Sequence, residues 1–464
     1  MTTQLTENRM RLGDFEELAQ AAFVAGDHEM ALTHIESGAS WSFDHHPGQF
    51  ASATFERILR DIGECHTVSR VGPPATNVQP RVLHVLTEAY ATGGHTRLTW
   101  RWMQLDRERE HTVVLTNQVN APVPEPLIGA ADGRVIILEE ASRLARMEHL
   151  ATLLQDFDVI VLNIHPHDAV AVAACAACPK RSRTLLVNHA DHVFWIGVGA
   201  TDQILDLRPS AITITRERRS TTPGISALLP LPLDEPTPDG ERGESFRRAR
   251  EIPLDAPVSM CLADAYKFTD STGGRFVGLL RRALSRETTL HHVAIGPDTT
   301  TPVWRELAAE FPGRLHLLGR TTDYQAAFDA ATFFLDSFPF SSITAALEAA
   351  SWGLPVLTLS PSEITPLALD DAGLEPRRAR SDDEWIGALQ EWATQPLLAR
   401  REGGIMQLDT LSFHRPAKWT TKMNQLLRDA WTRPATLDVQ EHQDFDAMDD
   451  GIEQLGRTRL ALFG

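Results

Sequence analysis

From Arg81 onward, short β-branched runs alternate with stretches of helical spacing, and this alternation constrains the chain more than any other feature. Strands separated by helices cannot pair as hairpins. They imply parallel βαβ units and a doubly wound sheet. The expected strands are Val82–Thr87, Val113–Thr116, Val135–Leu138, Val159–Asn163, Thr184–Asn188 and Ala211–Thr215. Residues 230–257 interrupt the pattern with six prolines and the charged segment ERGESFRRAR, which reads as an interdomain linker. Beyond it the pattern resumes with Val258–Ala263, Leu290–Ile295, Leu315–Leu318, Phe333–Asp336 and Val356–Leu359. The fold class is therefore α/β, with two Rossmann-like doubly wound domains whose ligands belong at strand C-termini and in the cleft that two such domains enclose.

Before Arg81, residues 14–62 place Phe15, Leu18, Phe23, Leu32, Ile35, Phe55, Ile58 and Leu59 at helical spacing, broken at Gly26-Asp27 and Pro47-Gly48. They form a small helical unit with one tetratricopeptide-like hairpin, and 70–80 reads as a linker. The expected division is a helical cap over 1–75, a first Rossmann-like domain over 80–235, a second over 250–415, and C-terminal helices and tail over 416–464. In the last of these, Trp419–Leu427 reads as a helix returning to the first domain.

Composition removes whole function classes. Of 464 residues, 42% are hydrophobic and 23% charged, a globular profile. A net charge of −18 without a basic stripe repels a phosphate backbone, so nucleic acid is not an expected partner. No apolar run spans a bilayer and the polar start MTTQLTENRMRLGD lacks a signal-peptide core, which reads as a cytoplasmic protein without a transmembrane segment. The four cysteines fit a reducing compartment, and the Cys175/Cys178 pair reads as one buried helix face. Four lysines stand against forty arginines, which singles out each lysine.

Chemistry-bearing residues follow strand ends. The first strand runs into Glu88-Ala-Tyr-Ala-Thr-Gly-Gly-His95, directly before a helix, where glycines and a helix N-terminus admit close approach of negative charge. Two histidine groups follow later strands: Asn163-Ile-His165-Pro-His167-Asp168 and Asn188-His189-Ala-Asp191-His192. They suit general-base work or metal ligation. HPHD resembles the HPDD signature of zinc-dependent sugar deacetylases, which gives a hydrolase as one alternative, with His165, His167, Asp168 and His189 as ligands. In the second domain, Cys261-Leu-Ala-Asp-Ala-Tyr-Lys267 puts a rare lysine after the first strand, a counter-charge for a diphosphate. Further on, LDSFPFSSITAALEAASWGLPVLTL leads a strand through a proline turn into a helix opening on Ser341, Ser342 and Thr344, with Glu348 one turn later. Such hydroxyls and backbone donors suit a phosphate, and the carboxylate suits a ribose. The aspartate pairs Asp156/Asp158 and Asp444/Asp446 occupy a helix-to-strand junction and an acidic tail, and neither reads as a metal site.

LDSFPFSSITAALEAASWGLPVLTL and AYKFTD resemble the nucleotide-sugar domain of GT-B glycosyltransferases, especially the O-GlcNAc transferase and bacterial cytoplasmic N-glucosyltransferase group. GRTTDYQAAFDAATFFLD, which opens on Gly319, and LSPSEITPLALDDAGL extend the likeness across roughly 255–375; the first domain matches in outline. The resemblance implies a nucleotide-sugar site of Lys267, Gly319, Ser341, Ser342, Thr344 and Glu348, with Lys267 on the diphosphate and Glu348 on the ribose. It implies a hexosyltransferase that takes a UDP-sugar as co-substrate, with no cofactor or metal, and a protein, peptide or glycan acceptor. The acceptor's base would be His95, with Asp191 and His189 behind it. Ser341 and Ser342 stand where the group carries Gly, Asn or His, and Glu348 where it carries Asp. Phe340 occupies the position of the glutamate that retaining members often show eight residues before the ribose carboxylate, which favours inversion. A non-catalytic binding protein, with the helical cap recruiting partners, is the third alternative.

Overall fold

A computed structural model describes residues 2–69, 79–91, 94–119, 121–178, 182–219, 224–268, 274–321, 324–359, 373–428 and 447–463. Part of the expected linker at 70–80, the segment 360–372 and the acidic pair Asp444/Asp446 lie outside these residues. The chain divides into two compact units, residues 1–230 with 420–460, and residues 231–419 with 461–464.

The first unit carries a parallel sheet of β1 (Arg81–Leu86), β2 (Glu110–Leu115), β3 (Val135–Ile137), β4 (Val159–Asn163), β5 (Arg183–Asn188), β6 (Gln203–Asp206) and β7 (Ser226–Leu228), in the order 3-2-1-4-5-6-7. The second carries β8 (Val258–Leu262), β9 (His291–Ile295), β10 (Leu315–Gly319), β11 (Phe333–Leu335), β12 (Val356–Leu359) and β13 (Arg377–Ala379), in the order 10-9-8-11-12-13. Both are doubly wound α/β sheets, and in each the strand order reverses beside the first strand. The switch points are β1/β4 and β8/β11, where ligand crevices form in such sheets.

Two expectations need correction. Ala211–Thr215, expected as a strand, is helical: Ala211–Ile214 lie in the helix Pro209–Ile214, where Pro209 occupies a first-turn position at which its missing N–H costs nothing, and Thr215 opens the π-helical turn Thr215–Arg219. The strand at that point of the chain is β6, whose apolar run is only Ile204-Leu205. Within the proline-rich 230–257, the helix Gly240–Arg248 forms behind Asp239, which accepts from Glu241 N at 3.0 Å and Arg242 N at 3.2 Å.

The N-terminal helices Thr2–Val24, His28–Asp44 and Ala53–Cys65 share one hydrophobic core with the sheet: Ile35, Phe55, Ile58 and Ile62 cluster with Leu162, Ile164 and Ala173. A Cβ on Gly63 would stand 2.5 Å from Ala176 Cβ, so glycine permits the close crossing of Ala53–Cys65 over the Ala-rich helix Ala169–Ala177. Glu56, buried on the helix Ala53–Cys65, accepts from Gly197 N and Gly199 N at 2.7 Å and from Val198 N at 3.2 Å. Burial pushes its pKa up while these amides pull it down. The C-terminal segment belongs here too: Asn8 Nδ2 donates to Glu453 Oε2 at 2.8 Å, and Arg109 to Asn424 Oδ1 at 2.8 Å.

Glu56→Ala strands three amide donors and leaves a void. The substitution is expected to destabilise the first unit by about 3 kcal/mol, read as a lower urea midpoint, while Glu56→Gln, which keeps an acceptor, costs less.

Candidate functional site

In the second unit, the β8/β11 switch point gathers most of the residues singled out in the sequence. The loop after β8 turns through Ala265–Phe268 and brings half-buried Lys267 to the loop after β11, where its Nζ donates to the Ser341 carbonyl at 3.2 Å. Burial lowers the pKa of this ammonium, while Asp336 and Asp264 raise it. After β11 the chain turns through a cis Phe338–Pro339 bond into the helix Ile343–Ser351.

Asp336, fully buried at the end of β11, organises this turn. Its Oδ1 accepts from Ser342 N at 2.9 Å and its Oδ2 from Ser341 Oγ at 2.7 Å. Ser337 Oγ donates to the Phe340 carbonyl at 2.6 Å and lies 3.0 Å from Ser342 Oγ. Ser342 is the residue preceding the helix, yet its hydroxyl makes no capping bond. The first-turn N–H groups of Ile343, Thr344 and Ala345 are thus without a side-chain cap at the positive end of a helix dipole. That end, with Lys267 beside it, is a ready anion site. The Ser341 hydroxyl is engaged by Asp336, so backbone amides, Thr344 and Lys267 are the groups suited to meet a ligand.

Gly319 closes β10 at φ 63°, and its carbonyl accepts from Gly296 N at 2.8 Å. A Cβ on Gly296 would fall 1.9 Å from the Ala263 carbonyl, so glycine there lets β9 approach the lysine loop. Glu348 is buried on the helix one turn beyond Thr344. Asp336 was missed by sequence reasoning; its one signal is an acid ending an apolar run.

In the first unit, the β1/β4 switch point assembles a ring cluster. His95 follows β1, with its centroid 5.6 Å from His165 after β4 and 5.4 Å from His189 after β5. Tyr90 stacks on His165 at 6.1 Å. The Glu88 carbonyl lies 3.2 Å from His95 Nε2, which assigns the proton to Nε2 and leaves a lone pair on Nδ1. Burial lowers the His95 pKa; burial and neighbouring imidazoles take His165 down to about 3 and His189 to about 4. All three are neutral near pH 7.

The other expected residues are engaged differently. Asp191 Oδ2 pairs with Arg208 Nε at 2.6 Å, Oδ1 with Arg208 Nη2 at 3.1 Å, and Oδ1 with His192 Nδ1 at 3.1 Å. Although burial opposes ionisation, Arg208 and His192 hold this carboxyl well below the usual range, which suits an anchor better than a base. Asp168 caps the helix Ala169–Ala177 through Ala171 N at 2.9 Å and accepts from Thr87 Oγ1 at 2.7 Å and Thr116 Oγ1 at 2.6 Å. Its carboxylate ties β1 and β2 to that helix rather than joining His165 and His167. Among the described residues, no three His, Cys, Asp or Glu side chains are placed to hold a metal ion.

No family model matches the chain, and no curated protein matches its sequence. Solved structures do match. HepE of Anabaena, in complex with UDP and glucose, superposes with a TM-score of 0.60 at 11% identity over 75% of this chain and 99% of its own. A glycosyltransferase from Rickettsia africae gives 0.57 at 11% identity over 76% and 100%. A mutant of the O-GlcNAc transferase of Thermobaculum terrenum gives 0.51 at 17% identity over 90% and 83%. The chain has the GT-B glycosyltransferase fold. In that GT-B frame the helical unit is part of the first unit's core, and no helix among the described residues is long and apolar enough to cross a membrane.

Asp191→Ala removes the buried carboxylate that Arg208 Nε and Nη2 both meet and is expected to cost about 3–5 kcal/mol in urea unfolding. A residue acting only as a base would lose turnover with stability intact.

Proposed function

We propose that this protein is a glycosyltransferase that moves a sugar from a nucleotide diphosphate sugar, a UDP-sugar, to an acceptor. The observation that carries this reading is the uncapped N-terminus of the helix Ile343–Ser351 with Lys267 Nζ 3.2 Å from the Ser341 carbonyl, at the switch point of a GT-B sheet. The HepE structures in complex with UDP and with UDP-glucose support it by fold analogy.

Charge develops on the leaving diphosphate as the glycosidic bond breaks. Preorganised amide donors and an ammonium stabilise that charge without reorganising, which gives this chain's own residues the role a divalent ion could otherwise fill. Gly319 and Glu348 complete the site, Glu348 as acceptor for ribose hydroxyls. On the acceptor side, His95 takes the proton through Nδ1 as the acceptor oxygen or nitrogen attacks, in a single inverting displacement, with His189 and His165 neutral around it. Asp191 holds the His189–His192 loop through Arg208.

The acceptor in this proposal is a protein or peptide. Its support is the O-GlcNAc transferase likeness over 90% of the chain, and the apolar side chains Met10, Leu18, Val24 and Met30, exposed by 69%, 48%, 75% and 44% on the helical unit. Glycans are the competing acceptor, and parallel peptide and oligosaccharide arrays separate the two.

A thermal-shift panel of nucleotide diphosphates is the direct test, since a ligand at a hundred times its Kd adds about 2.7 kcal/mol. Stabilisation by UDP is expected, and no stabilisation by any nucleotide removes the proposal. Lys267→Ala should cost about 2–4 kcal/mol in kcat/KM with EDTA present throughout. Wild-type transfer by that variant, or transfer that EDTA abolishes and a divalent ion restores, contradicts the proposed chemistry.

A base with a depressed pKa remains unprotonated as pH falls through 6.5, so the acid limb of kcat/KM is expected below pH 6.5. His95→Ala should remove that limb with most of the activity; an unchanged pH profile assigns the base elsewhere.

A further inference from the structure

The uncapped helix end needs something to hold it open. A serine preceding a helix ordinarily turns its hydroxyl onto the first-turn amides and satisfies them. Here Ser342 does not, because its own N–H is drawn 2.9 Å onto Asp336 Oδ1 while its Oγ sits 3.0 Å from Ser337 Oγ. Ser341 is drawn the same way, its Oγ donating to Asp336 Oδ2 at 2.7 Å, and its carbonyl is then the group that receives Lys267 Nζ. One carboxylate therefore sets the two residues that enter the helix and, through Ser341, the lysine.

We propose that Asp336 is the positioning residue of the sugar-donor site, fixing the helix entry through Ser341 and Ser342 and supplying the counter-charge that keeps Lys267 an ammonium. This rests on the nucleotide-sugar reading of the site. Asp336 has no exposed surface, so it acts through these neighbours and touches no substrate.

The groups around it are few. Lys267 approaches from the loop after β8, with Asp264 as its other acidic neighbour, and Asp264 itself pairs with Arg320 at 3.0 Å. The Cys261 thiol of β8, 3.4 Å from His292 Nε2, is pushed up chiefly by burial, with the Asp336 charge adding to it. Ser341 and Ser342 donate from the helix entry, and Thr358 Oγ1 of β12 lies 3.5 Å from Oδ2. Burial raises Asp336 to about 6, against the pull of Ser341, Ser342 and Lys267, so it is ionised at neutral pH. Burial lowers the Lys267 pKa and Asp336 is the largest influence raising it. Removing the negative charge lowers that pKa further, so an alkaline loss of ligand binding moves to lower pH.

The test is UDP affinity of the full chain by calorimetry across pH 6.5–10. Absence of UDP binding to the wild type overturns the site reading itself, and this inference with it. With UDP bound, Asp336→Asn is expected to weaken UDP about tenfold or more, leave the acceptor KM unchanged, and move the alkaline limb down by about one pH unit. Titration of UDP itself is common to both proteins and cancels in the comparison. A folded Asp336→Asn protein with wild-type UDP affinity and an unmoved limb overturns the proposal. If that variant does not fold, Ser341→Ala decides: it keeps the charge and removes one tether, so UDP should weaken several-fold with the alkaline limb in place. Unchanged UDP affinity in Ser341→Ala is the contrary result. Lys267→Arg should abolish the limb, because arginine does not titrate there, and a persisting limb contradicts the role given to Asp336.

Discussion

Parallel strands can be joined only by crossovers, and right-handed crossovers bring every strand C-terminus to one edge of its sheet. That constraint places both candidate sites. Where the winding reverses, neighbouring crossovers leave in opposite directions and the loops after two adjacent strands part. In the first sheet those are the loops after β1 and β4, which carry His95 and His165; in the second, the loops after β8 and β11, which carry Lys267 and Ser341. Among the described strands, no other neighbouring pair sits beside a reversal.

The buried carboxylates divide by what neutralises them. Glu56 and Asp168 are satisfied by backbone amides or hydroxyls, and Asp191 by the fork of Arg208. Each ties distant segments together: helix to loop, two strand ends to a helix, loop to loop. Asp336 has local partners, and its ammonium neighbour lies beyond Ser341 rather than in a fork with it. A fork locks a lysine or arginine against its acid, whereas an offset pair keeps the cation charged and still able to meet another anion. The arrangement around Asp336 therefore suits a site that holds a ligand's charge, and the arrangement around Asp191 suits a joint.

The central strands were legible because parallel strands covered on both faces read as unbroken apolar runs, as Val159–Leu162 and Phe333–Leu335 do. The edge strands β7 and β13 were not. Ser226–Leu228 is half-buried throughout, and Arg377–Ala379 puts two arginines in three residues, so neither carries a hydrophobic run. Ala211–Thr215 misled because β-branched residues favour strands, while the proline two residues before Ala211 favours a helix start, and the helix won. At the sites, Lys267 and Ser341 stood out by their place after a strand, which sequence order reveals. The attachment of Asp191 to Arg208, 17 residues on, depends on how a loop folds back, and no local spacing encodes it.

The helical unit extends this point to function. Read along the chain, it is set apart by a linker and looks like a tethered module. In space, Gly63 lies against Ala176 and Glu56 caps the 197–199 loop, so the unit has no core of its own to keep if it parts from the sheet. A module on a flexible tether raises local acceptor concentration but must lose freedom when it binds. A rigid extension has already lost that freedom in folding. Any acceptor that engages Met10, Leu18 or Val24 therefore meets a preorganised surface, and its binding energy is not spent on ordering the helices that present it.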